Sequence, residues 1–64
     1  MNKGDLVRFK DNDIVDPQYH GACGLVVNVI THDSFVWGPE TICDVLVFGH
    51  VIENCRLGED IEMF

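Results

Sequence analysis

Residues able to do chemistry are few and scattered along this chain. His20-x-x-Cys23, His50 and Cys55 supply the nitrogen and sulfur donors that zinc prefers. A structural zinc site needs two short-spaced ligand pairs, and only His20 and Cys23 stand close together, so no metal site is expected. Asp11-Asn12-Asp13-Ile14-Val15-Asp16 offers oxygen ligands, but without the central glycine and terminal glutamate of a calcium loop it reads as a solvated turn. A nucleophile needs a base fixed beside it, and nothing in the sequence ties a cysteine to a histidine. Ser34 lies in turn-like sequence, and there is no glycine-rich phosphate loop. Neither catalysis nor a cofactor is expected, and no small-molecule substrate.

The elements that would have to position such groups are short. The chain has 64 residues, enough for one domain spanning 1–64 and one small core, with no room for a deep catalytic cleft. Its formal charge is −7, from 4 Lys and Arg against 11 Asp and Glu, which repels a bare phosphate backbone at long range. Direct nucleic-acid binding is therefore disfavoured. No apolar run reaches the roughly eighteen residues of a membrane helix, and residues 1–10 lack the apolar stretch of a signal peptide. Three cysteines, an odd number without Cys-x-x-Cys spacing, make no disulfide framework and suit a reducing, intracellular setting. Cys23 and Cys43 lie inside apolar runs and are expected to behave as small buried hydrophobes.

Strand periodicity dominates. Leu6-Val7-Arg8-Phe9-Lys10 alternates, with Val7 and Phe9 on one face and Arg8 and Lys10 on the other. Residues 11–20 carry turn chemistry and read as a loop. A β-branched run opened by Gly21 and Gly24 predicts a second strand over 21–30, followed by a turn at 31–34 and a short strand at 35–37 stopped by Gly38-Pro39. A fourth strand is expected over 41–48, a tight turn at Gly49-His50, one helical turn within 51–56 and a last strand at 60–64. No helical stripe of ten or more residues exists, so the fold class is all-β: five short strands curled into a partly open barrel.

Gly4-Asp5-Leu6-Val7-Arg8-Phe9, then Gly21-x-x-Gly24-Leu25-Val26-Val27, then Asp44-Val45-Leu46-Val47 and Ile52-Glu53-Asn54 occur in an order that resembles small SH3-like barrels of the KOW or Tudor type. The chain is also similar to small accessory proteins of tailed bacteriophages, which implies a structural or accessory role in a virion or a host cytoplasm. Departures limit what the resemblance carries. RNA-binding KOW loops are basic, whereas this loop holds Asp11, Asp13 and Asp16. A Tudor-type cage for a methylated cation would have to come from Tyr19, Phe35, Trp37 and Phe48, which read more simply as core and rim packing. Of an SH3 polyproline groove, only Tyr19 and Trp37 have counterparts.

Register supplies the positive expectation. With Asn28 and Asp44 facing solvent, strict alternation puts Leu25, Val27, Val29, Val45 and Val47 inside. The same count places Val26, Ile30, Leu46 and Phe48 on an outer apolar patch, with Trp37 at its rim. A small chain with such a patch is expected to cover it with a protein partner or a second copy of itself, the alternative being that the long loop or the C-terminal strand folds over it. Two rival readings are a nucleic-acid-associated module using Lys3, Arg8, Lys10 and Arg56, and an acidic mimic of DNA that occupies a basic protein.

Overall fold

The computed structural model describes residues 1–34 and 38–64, and the strand expected at 35–37 and Trp37 lie outside the described residues. Five strands, β1 (Leu6–Phe9), β2 (Cys23–Ser34), β3 (Gly38–Val47), β4 (His50–Arg56) and β5 (Ile61–Met63), form one antiparallel sheet in the order β4-β3-β2-β1-β5. The sheet bends around a single core but does not close, because β4 and β5 are its two edges. This is the all-β, partly open barrel-like fold that the alternation of apolar residues implies. Among the described residues, no helix is long and apolar enough to cross a membrane.

The core lies on the concave face. Val7 and Phe9 of β1, Val26 of β2, Cys43, Val45 and Val47 of β3, Cys55 of β4 and Ile61 of β5 are all buried there. Val15, from the loop between β1 and β2, plugs into them, so that loop is more than a solvated connector. A 3-10 turn, Pro17–Tyr19, is set by Asp16, whose side chain accepts from the Gln18 backbone N–H. His20 fixes the loop further through Nε2, which lies 3.0 Å from the Asn12 carbonyl and 2.9 Å from that of Val15. Both oxygens are acceptors, so Nε2 carries the proton. Gly24 faces the core where a Cβ would press on Val45 Cγ1 and stand 3.1 Å from the Leu46 carbonyl oxygen. Glycine lets β2 and β3 approach closely enough to bend there.

Several local expectations are corrected. Residues 31–34 and Gly38-Pro39 do not break the sheet; they extend the β2–β3 hairpin, with Asp33 opposite Pro39. Thr41 accepts from the Leu57 N–H on the β4 side, and Pro39, two residues before it, faces that side beyond the end of β4, where no ladder bond is lost. The tight turn is Phe48-Gly49, not Gly49-His50: both residues have positive φ, 51° and 80°, and Val47 pairs with His50. Positive φ at both central positions suits the right-handed twist of a two-residue hairpin. Residues 51–56 continue as strand rather than helical turn.

Register holds the largest correction. Leu25 pairs with Leu46 and Val26 with Val45, but Asn28 pairs with Asp44, so Val27 is the extra residue of a β-bulge. Alternation counted back from Asn28 therefore inverts: Val26 is 1% exposed and faces the core, whereas Leu25 is 38% exposed and faces outward. A second irregularity lies opposite, where Glu53 and Asn54 both stand against Asp44 and Asn54 takes φ 59°. The Asp44 carboxylate joins the two, accepting from Asn28 Nδ2 at 3.4 Å and from the Asn54 N–H at 3.2 Å.

Candidate interaction surface

Once the bulge is in place, the convex face shows a continuous apolar row. Val51 of β4 stands opposite Leu46 of β3, Leu46 opposite Leu25 of β2, and Leu25 opposite Leu6 of β1. Phe64, 74% exposed, continues the row beyond β5, its N–H donating to the Leu6 carbonyl at 3.2 Å. The row crosses every strand, about 19 Å at a strand spacing of about 4.8 Å, and all its side chains are exposed.

Its borders are polar and internally matched. On one side, Cys23 is opposite Arg8 and Arg8 opposite Glu62, and the guanidinium of Arg8 pairs with the Glu62 carboxylate. That carboxylate raises the Arg8 pKa above its usual value, by hydrogen bond and by charge. On the other side lies Asp44 with its amide partners.

Of the patch expected from sequence, Leu46 belongs to this row. Ile30 is exposed on the same face but pairs with Ile42 beyond the Asn28–Asp44 border. Val26 is withdrawn into the core by the bulge. Phe48 is exposed at the hairpin tip, where it turns away from Leu46 and stacks on Tyr19, with ring centroids 5.9 Å apart and planes at 19°. Tyr19 is also tilted against Phe9 at 5.6 Å, so these rings pack on one another at the hairpin tip. Sequence reasoning misses Leu6, Leu25, Val51 and Phe64. Leu6 alternates with Val7 in the sequence and is readable as outward; Leu25 is not, since the bulge decides its side.

The groups with chemical potential are engaged elsewhere. His50 Nε2 lies 2.8 Å from the Tyr19 hydroxyl, and His20 holds the loop. Cys55 is buried, its thiol donating to the Ile52 carbonyl at 3.5 Å, and burial pushes its pKa up to about 12. Burial also raises the Cys43 thiol. Cys23, expected inside, is exposed, because it sits beside Arg8 on the convex face. Among the described residues, no three of histidine, cysteine, aspartate and glutamate converge as a metal site. The cations named for nucleic acid are divided: Arg8 pairs with Glu62, Arg56 with Glu59 and Asp60, and Lys10 donates to the Gly58 carbonyl.

No family model, curated protein or solved structure matches this chain. What bears on function is the surface itself.

Proposed function

We propose that this chain is a non-catalytic protein-interaction module that associates with a second copy of itself through the convex apolar row. The observation that carries the reading is the unbroken line of Val51, Leu46, Leu25, Leu6 and Phe64 across the whole sheet. An apolar line is self-complementary under a two-fold axis, so one surface serves both partners. Charge opposes a second copy, and least so beside Arg8. The chain carries −7, yet Arg8 cancels Glu62 at one border of the row, and most carboxylates lie on loops and strand ends. Two acidic molecules meet there with the least repulsion. A specific interface buries roughly 800 Å² per partner, about a fifth of this molecule's 4289 Å² surface. The row supplies the apolar centre of such a contact and its polar borders the rim.

An SH3-like identity of the KOW or Tudor type, with an accessory role, is part of the same proposal; the bent five-stranded sheet and the long loop after the first strand are compatible with that architecture. Light scattering after size-exclusion chromatography tests it, using the native chain and Leu25→Asp/Leu46→Asp, with circular dichroism to show that the variant folds. A native dimer and a folded monomeric variant are expected. A native monomer, or a folded variant that remains dimeric, removes the row from function.

A further inference from the structure

We infer that Cys43 and Cys55 are a redox-responsive staple, which forms a reversible disulfide between β3 and the edge strand β4 when a low-molecular-weight disulfide is present. The two residues are direct partners across β3 and β4, and both are buried on the core face. Opposed residues of antiparallel strands have Cα atoms about 4.5–5.5 Å apart, within the roughly 4.4–6.8 Å that a disulfide spans. The pairing is made by the bulge in β4. Val47 faces His50 and Val45 faces Ile52; continued without an extra residue, that register would set Asn54 against Cys43 and turn Cys55 to the convex side. The residue inserted at Glu53 and Asn54 brings Cys55 opposite Cys43 instead. Cys23 is out of reach, since it is exposed on the convex face. Cys43 pairs with Val29, well beyond Cys23 on β2, about 20 Å away at about 3.3 Å per residue. An odd set of three thiols thus resolves into one pair and one single.

Burial pushes both thiols up, Cys55 to about 12, so neither attacks a disulfide while β4 is in place. β4 is an edge of the sheet, paired only with β3, and its opening or the unfolding of the chain frees them. One thiolate then attacks RS–SR, a disulfide of the glutathione class, forming a mixed disulfide and releasing RS⁻. The second thiolate attacks the protein sulfur of that mixed disulfide, closes the Cys43–Cys55 bond and releases the other RS⁻. The dithiol loses two electrons and two protons, and RS–SR becomes two RSH. The closed staple ties the edge strand to β3. It lies on the face opposite the convex row, so the inference stands whether or not the row self-associates.

The test uses Cys23→Ser, whose remaining cysteines are Cys43 and Cys55. The variant is unfolded in urea, refolded into mixtures of reduced and oxidised glutathione and left to equilibrate, with a parallel series kept in concentrated urea. Acid quenching and mass spectrometry read the fraction of chains lighter by two hydrogens. The folded chain is expected to hold the disulfide against conditions about tenfold or more further toward the reduced side than the unfolded chain does, because the native register brings the thiols together. By linkage, the oxidised form should unfold at a higher urea concentration than the reduced form. In the native chain, cleavage before aspartate separates residues 16–32, 33–43 and 44–59, which carry one cysteine each. The linked peptides are expected to be 33–43 and 44–59. A folded chain that holds the disulfide no better than the unfolded one, a lower urea midpoint on oxidation, or intramolecular linkage mainly through Cys23 overturns the proposal.

Discussion

At the scale of single residues, the three cysteines separate by environment. Cys23 is exposed, whereas Cys43 and Cys55 oppose one another across β3 and β4 inside the core. In native conditions one thiol should react with an aromatic disulfide reagent within minutes, and the other two only after denaturant is added; three fast thiols would place the core pair at the surface. Burial lifts the Cys55 pKa from an ordinary 9.0 to about 12. The folded state thus holds this proton more tightly than the unfolded chain does. Stability from the neutral thiol is complete below pH 9 and falls as pH rises from about 9 toward 12. Urea midpoints measured across that window should decline for the native chain and decline less for Cys55→Ala, compared with each protein's own value at pH 8. Parallel declines would show that Cys55 does not titrate with unfolding.

At the scale of elements, the two irregularities around Asp44 decide which side chains meet the solvent. Val27 makes β2 change parity, and Glu53 and Asn54 make β4 do the same, each against one carboxylate. Asp44→Ala removes two acceptor contacts, at about 0.5–1.5 kcal/mol each, so a loss of about 1–3 kcal/mol is expected in urea unfolding. Faster hydrogen exchange at the Asn54 N–H should accompany it, because that donor loses its partner; unchanged exchange would mean that the bulge holds without Asp44. The same bulge explains what is legible in the sequence. Alternation in Val7-Arg8-Phe9 and in Val45-Leu46-Val47 places core and surface correctly because the extra residues of both irregularities lie on the neighbouring strands β2 and β4, and Asn28 and Asp44 face outward as their polarity demands. The run Leu25-Val26-Val27 contains no glycine, proline or polar residue to mark where an extra residue enters. An even count through it therefore exchanges Leu25 with Val26 and displaces the apolar surface. Residues 51–56, read as a helical turn before Gly58, instead stay in the sheet: Asn54 takes a positive φ inside the bulge and the strand continues through it.

At the scale of the whole molecule, the proposed self-association must answer to salt in a definite direction. Both copies of a self-associating chain carry −7, and their repulsion opposes a contact driven by the apolar row. Raising ionic strength from roughly 0.01 to 1 M shortens the Debye length from about 30 to 3 Å, which relieves that repulsion and leaves apolar burial in place. The dimer fraction measured by light scattering should therefore rise with salt. Circular dichroism over the same salt range separates this rise from any change in folding. Dimerisation that weakens with salt would make the contact electrostatic and move it from the apolar row to its charged borders, where Arg8 of one copy would have to leave Glu62 for a carboxylate of the other.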